Sequence, residues 1–438
     1  MNYDNDINEI KGFILIKYGR IYDPFLKIDK VQDILIKDGI IIKINSNIPE
    51  KSNYKVLKCK NEIITNGFID LHSHFREPGF EFKETISTGS RSAFYGGYTR
   101  VCVMPNTNPV IDNPELIKYL KDKSEKMPIY LYPIGAITKG QKGKELAEIG
   151  LMVDAGAVAI SDDGVPVNNS QILRMAIEYA KKFNIPVINH AEDSFLVNHG
   201  LINEGQNSLK LGLTGNPDIS ESTMIFRDLS IAEYISGSLH IPHVSSSKSV
   251  EIIKHFKEKG VKVTSEVTPH HLCLTDDILK NYDTNAKVAP PIRSKVDKNA
   301  LISAVKAGII DCIATDHAPH AIEDKEKDMH HAPCGMIGLE SAFGLVNKTL
   351  KKTKMSTKSI IDLFTINPSK ILNIKPDTIK EGNIAEINII NPDCRWVFEK
   401  HNIKSKSMNT PILGMELVGK VVVTINKGFI SNCKSSKS

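Results

Sequence analysis

Along the first 65 residues apolar positions fall in short clusters rather than helical stripes. FILIKYGRIY, VQDILIKDGIIIKI and YKVLKCKNEIIT are rich in Ile, Val and Tyr and are divided by Asp, Gly, Asn or Pro. β-branched and aromatic runs of this length, bounded by turn formers, predict strands. The same texture returns in NIAEINIIN (383–391) and LVGKVVVTINKGFI (417–430). Two strand-rich ends predict one small composite β-sandwich domain built from 1–65 and 376–438.

Between them the pattern changes to short apolar runs alternating with longer helix-like stretches, as parallel βα units require. Eight runs stand out: 68–74, 99–105, 130–136, 157–163, 186–192, 239–245, 262–268 and 310–316. Eight units predict an α/β fold, a closed (β/α)8 TIM-type barrel over 66–375, completed by terminal helices in 346–372. The structural rival is an open doubly wound sheet, which calls for a Gly-rich phosphate loop after its first strand. HSHFREPG stands there instead. The lysine-rich tail CKSSKS reads as frayed surface.

Composition narrows the class without choosing a function. The chain is 41% hydrophobic and 24% charged, ordinary for a globular protein and unlike disordered or fibrous chains. The net charge of +5 is spread thinly, with no long basic block, which argues against a nucleic-acid partner. Nowhere do eighteen apolar residues run uninterrupted, and no basic region leads into an apolar stretch at the N-terminus. No membrane association and a cytoplasmic location are therefore expected. Seven scattered cysteines without a C-x-x-C pair suggest neither a cysteine zinc knuckle nor a disulfide framework and fit a reducing compartment.

The fourteen histidines carry more. In barrels of this kind the working residues gather at the C-terminal strand ends, whose loops ring one mouth. His72 and His74 end strand one, Asp163 strand four, His190 strand five, His243 strand six and Asp316 strand eight. Residues two apart in a strand share a face, so Asp70, His72 and His74 are expected to look toward the axis, with Ile69 and Leu71 toward the helices. On strand four Val158 and Ile160 suit the helix-facing side, which leaves Ala159, Ser161 and Asp163 on the axis side. Asp163 is then the candidate ligand, and Asp162 a hydrogen-bonded loop or capping residue. A His and Asp set of this size is too large for one tetrahedral ion; it suits two zinc ions and also admits manganese or cobalt. His270 and His271, adjacent at the end of strand seven, would face opposite ways and are expected to be structural. The segment 318–338, rich in charge, Pro and Gly, is long enough for a lid or for ligand contacts.

The motifs HSHFREPG (72–79), MPNT (104–107), SDDG (161–164), NHAED (189–193), IPHVS (241–245), EVTPHHL (266–272) and ATDHAPH (314–320) together resemble the dihydroorotase family of the amidohydrolase superfamily. They span nearly the whole chain, and FREPG with TDHAPH separates this family from hydantoinase-like relatives. Many such relatives bridge two metals with a carboxylated lysine; strand four holds no lysine, which resembles the class that uses aspartate. The resemblance implies reversible cyclisation of N-carbamoyl-L-aspartate to L-dihydroorotate in pyrimidine biosynthesis, with no organic cofactor. It implies that His72 and His74 hold one Zn2+, His190 and His243 the other, that Asp163 bridges, and that Asp316 touches metal and shuttles the proton of a metal-generated hydroxide. Arg76, Asn106 and His320 are implied to clamp the substrate carboxylate, with His74 also in contact. Two positions depart from the family pattern: Ala289 stands where many members carry asparagine, and Cys334 where phenylalanine often precedes Gly335. Ala289, Cys334 and Gly335 are expected to reach the substrate through backbone groups, which do not depend on residue identity.

Two other readings stay open on sequence. One is another cyclic-amide hydrolase, an allantoinase or hydantoinase. The other is a metal-free scaffold subunit of aspartate transcarbamoylase, which would be expected to have lost metal ligands that this chain keeps. A homo-oligomer and a partnership with aspartate transcarbamoylase are both compatible with the resemblance.

Overall fold

A computed structural model describes residues 7–431; the tail CKSSKS lies outside them. Eight parallel strands alternate with helices in the central part of the chain. They are β1 (Phe68–Ser73), β2 (Tyr98–Val103), β3 (Tyr130–Pro133), β4 (Ile160–Ser161), β5 (Val187–Ile188), β6 (Ser238–Ile241), β7 (Lys262–Val267) and β8 (Cys312–Ile313). They pair in sequence order as one three-stranded and one five-stranded sheet. The parallel bridges Gly135↔Ile160 and Ser73↔His317 join the two sheets at both seams, which closes the barrel.

Each strand separates two apolar layers. Val101, Ile160, Val187, Leu239, Ile241 and Val263 pack outward against helix residues such as Phe94, Ile117, Leu173 and Ile177. Cys102, Ile134, Ala159, Ile188, Cys312 and Ala314 fill the interior. The helix Ser170–Lys181 follows the rule that an amphipathic stripe must be covered. Asn169 caps it by accepting from the N–H groups of Gln171 and Ile172, and Leu173, Ala176, Ile177 and Ala180 form its buried stripe.

β1 departs from simple alternation. Ile69 and Leu71 lie in the interior cluster, not on the helix side that parity assigns them. The pairing with β2 slips by one residue between Asp70 and Ser73, a bulge of the kind that re-aims side chains. Asp70 is consequently drawn away from the mouth: its carboxylate accepts from the Ser73 and Thr315 hydroxyls and the Thr315 N–H. The bulge resets the phase so that His72 and His74 still reach the mouth.

The chain ends form two further sheets. One contains Ile7–Glu9, Phe429–Ser431, Glu416–Asn426, Ile387–Val397, Ile63–Asn66, Arg20–Asp23 and Ile28–Val31, in that spatial order; the other contains Ile40–Asn45, Asp33–Lys37, Phe13–Lys17 and Tyr54–Lys58. Ile14, Ile16, Ile34, Ile36, Ile64, Ile387 and Ile425 form a core that draws on both sheets. Between residues 398 and 415 the chain leaves the sheet, and Phe398, Ile403 and Ile412 pack with Val288, Ile292 and Met336 beside the barrel mouth. No helix among the described residues is long and apolar enough to cross a membrane.

Candidate active site

The strand ends deliver their side chains to one place. His72 lies at the end of β1 and His74 just past it, Asp163 lies two residues past β4, and His190 and His243 lie two residues past β5 and β6 respectively. Their ligand-type atoms fall into two groups, His72/His74/Asp163 and Asp163/His190/His243, each with all atoms within 4.8 Å of one another. Asp163 belongs to both groups. Its Oδ1 is 3.4 Å from His72 Nε2 and 3.4 Å from His243 Nε2, and its Oδ2 is 3.4 Å from His74 Nε2. Asp316 Oδ1 approaches His74 Nε2 to 3.0 Å and His72 Nε2 to 3.6 Å.

The chemistry of this donor set fits divalent cations. His72 Nε2 and Asp163 Oδ1 are buried without a hydrogen-bond partner, which is costly unless something else satisfies them. Imidazole nitrogens and carboxylate oxygens converge on two points, and a divalent cation at each would satisfy them. Asp162 has a different part. It faces away and accepts from the N–H groups of Ile137 and Thr138 and from the Thr138 hydroxyl; burial pushes its carboxyl up to about 6.

Charge in the cluster is mutually compensated. Burial disfavours charge on Asp316, but the imidazoles of His72, His74 and His243 more than offset it and hold the carboxyl well below its usual range. Burial also opposes charge on Glu266, and hydrogen bonds from His240 and His72 bring its carboxyl down to about 2. Three site residues, Arg76 (φ 63°), His243 (φ 34°) and Asp316 (φ 46°), have left-handed backbones. Each such conformation costs on the order of 1–3 kcal/mol in a non-glycine residue and persists only where the surrounding structure holds it.

Above the cluster lies a cavity of about 280 Å³. Its lining includes every residue expected to meet substrate: His74, Arg76, Asn106, Ala289, His320, Cys334 and Gly335, together with Asp163, His190, His243 and Asp316. His72 sits beneath it, fully buried. Arg76 Nε donates to the Pro319 carbonyl at 3.1 Å. His320 Nε2 donates to the Cys334 carbonyl at 2.8 Å, which leaves its Nδ1 to accept from Lys83 Nζ at 3.2 Å. Burial and the neighbouring cations Arg76 and Lys83 push the His320 imidazole down to about 2, so this wall carries a neutral donor ring between two cations. Asn106 Oδ1 accepts from His74 Nδ1 at 2.8 Å. Its amide nitrogen points toward Gly164, where a Cβ would approach to 3.2 Å on a backbone at φ 83°.

The segment 318–338 is fastened rather than free. Asn409, from the excursion out of the terminal sheet, donates to the carbonyls of Ala318 and Gly335 and accepts from His320 N–H. Lys287 holds the carbonyls of Met329 and Ala332, and Lys325 those of Thr284 and Pro333. It is a wall of the cavity. His270 and His271 do not continue β7; they lie in a helical turn, Pro269–Cys273, capped by Thr268, because proline at its first position favours a helix start. His271 is tied to Thr268 and the Pro290 carbonyl.

Residues 61–249 match the family model described as Dihydro-orotase-like. Dihydroorotases from Citrifermentans bemidjiense, Acetivibrio thermocellus and Endomicrobium trichonymphae are 43%, 43% and 46% identical over 95% of the chain, covering 99%, 98% and 98% of those proteins. The chain belongs to the dihydroorotase family. Solved structures extend the likeness in fold alone. The L-hydantoinase of Arthrobacter aurescens has a TM-score of 0.84 at 23% identity, covering 97% of each chain, and a D-hydantoinase has 0.83 at 22%, covering 96% of each.

In this dihydroorotase-family chain, residues that motif reading did not single out also contact the site. Glu266 accepts from His72 Nδ1 at 2.9 Å and Glu192 from His190 Nε2 at 3.0 Å. Glu266 stands between Ser265 and Val267, the only acid in β7, and an acid at such a position signals a partnered buried charge. Asn409 carried no comparable local signal.

Proposed function

We propose that the protein catalyses the reversible cyclisation of N-carbamoyl-L-aspartate to L-dihydroorotate. The observation that carries the reading is a single cavity lined by a carboxylate able to move a proton, Asp316, and a cation, Arg76, over two His/Asp groups that share Asp163.

His72, His74 and Asp163 would hold one Zn2+, and Asp163, His190 and His243 a second. When bound, such ions polarise an amide or carboxyl carbonyl and make a water acidic enough to lose a proton near neutral pH. The chain's own groups do the rest. In ring opening, water oxygen bonds to the ring carbonyl carbon while the bond from that carbon to the ring nitrogen breaks. Asp316 takes the proton of the attacking water and delivers it to the leaving nitrogen. In cyclisation the terminal ureido nitrogen bonds to the side-chain carboxyl carbon, and Asp316 carries the nitrogen's proton to the departing oxygen. A carboxylate held in the ionised form is suited to accept first in either direction. Arg76 and the Asn106 amide bind the carboxylate outside the ring, with the neutral His320 ring packed beside Arg76, and set the reacting carbonyl beside Asp316. Backbone groups at Ala289, Cys334 and Gly335 bound the ring.

The compartment proposed is the cytoplasm, and self-association or association with aspartate transcarbamoylase are the assemblies to seek by gel filtration. The discriminating experiment offers the purified protein N-carbamoyl-L-aspartate at mildly acidic pH, and allantoin and hydantoin separately. Cyclisation of the first without turnover of the others is expected. Turnover of allantoin or hydantoin with none of carbamoyl aspartate reverses the choice.

A further inference from the structure

Two carboxylates stand behind the metal-facing imidazoles, and neither has a part in the steps above. Glu266 is 1% exposed, in the barrel interior. Its two oxygens are both engaged: Oε1 accepts from His72 Nδ1 at 2.9 Å and Oε2 from His240 Nε2 at 3.1 Å. His240 is in turn fixed by the Thr264 hydroxyl, 2.8 Å from its Nδ1. Glu192 repeats the arrangement on the other side, accepting from His190 Nε2 at 3.0 Å and from the Asn216 amide at 2.8 Å.

An ionised carboxylate only accepts, so the nitrogen facing it must carry the ring proton. His72 is thereby held with its Nε2 lone pair toward Asp163, and His190 with its Nδ1 lone pair toward Asp163 and His243. His74 lacks such support, because a neutral amide, Asn106, takes its Nδ1–H. Each of the two groups sharing Asp163 therefore contains one carboxylate-backed imidazole. A carboxylate buried without compensation is costly. Glu266 has ion pairs, among the described residues, with His72 and His240 only, and a cation on the far side of His72 is the compensation this placement fits.

We propose that Glu266 and Glu192 are positioning residues, each fixing the ring and tautomer of one histidine, so that each sets the affinity of a different metal. The inference rests on the metal reading above. Carboxylates behind ligating histidines are typically worth 10–100-fold in metal affinity.

The test strips the full-length protein with a chelator and titrates Co2+ against a chromogenic competitor. Wild type is expected to take up two equivalents. E266Q should keep one at wild-type affinity and bind the other 10–100-fold more weakly; E192Q should do the same; the double variant should weaken both. Thr264→Val, which leaves Glu266 in place and loosens only His240, should weaken the same step as E266Q by a smaller factor, and serves if E266Q does not fold. Unchanged uptake by these variants overturns the inference while leaving the metal reading intact. A double variant that weakens only one step overturns the assignment of the two carboxylates to different metals. Wild type that takes up fewer than two equivalents overturns the two-metal reading and the inference together.

Discussion

Asp162 and Asp163 are identical in chemistry and adjacent in sequence, yet one completes the backbone of the β3 loop and the other meets four imidazoles. Substituting each by alanine should separate stability from chemistry. Asp162→Ala strands the Ile137 and Thr138 N–H groups, at about 1–3 kcal/mol for each buried donor left unmatched, and should lower the midpoint of chemical denaturation. Asp163→Ala should keep that midpoint in metal-free protein while abolishing turnover and metal uptake. Asp316→Asn should retain the fold and lose nearly all turnover, since an amide cannot carry the proton; unchanged kinetics would remove the assigned role. Arg76→Ala should mainly raise KM for carbamoyl aspartate, checked by steady-state kinetics.

The orientation of Asp163 could be read from parity because Ala159 lies in the interior and Ile160 in the helix layer, although Val158, expected on the helix side, also packs on the interior. Parity failed on β1, where the bulge at 70–73 puts Ile69 and Leu71 inside and turns Asp70 away from the mouth. A bulge inserts one residue without marking itself in composition, so the histidine pair was legible while the phase beneath it was not.

At the scale of elements, the eight βα units were legible because each strand is a short apolar run and each helix carries its own stripe. The fastening of 318–338 was not, since its clamp, Asn409, lies 91 residues beyond Ala318 and acts through backbone carbonyls that any sequence would supply. Asn409→Ala removes three hydrogen bonds from this wall. It should raise KM more than it lowers kcat, and should make the 318–338 segment cleavable by protease under conditions in which wild type resists.

Across the whole molecule, the two His/Asp groups gather side chains at the C-terminal ends of β1, β4, β5 and β6, with Asp316 after β8 beside them. These residues come from both sides of the seams closed by single bridges at Gly135 and Ser73. A ligand that binds only the folded chain raises stability with its concentration, by about 2.7 kcal/mol at one hundred times its dissociation constant. Zn2+ should therefore raise the Tm of stripped protein, and the rise should be absent in Asp163→Ala. The most direct measurement strips the purified protein of metal, restores Zn2+, and follows N-carbamoyl-L-aspartate and L-dihydroorotate in both directions. The account predicts no interconversion in the stripped protein and its return, forward and reverse, with about two zinc ions per chain. Full activity in the stripped protein, or none after zinc is restored to folded protein, would contradict it.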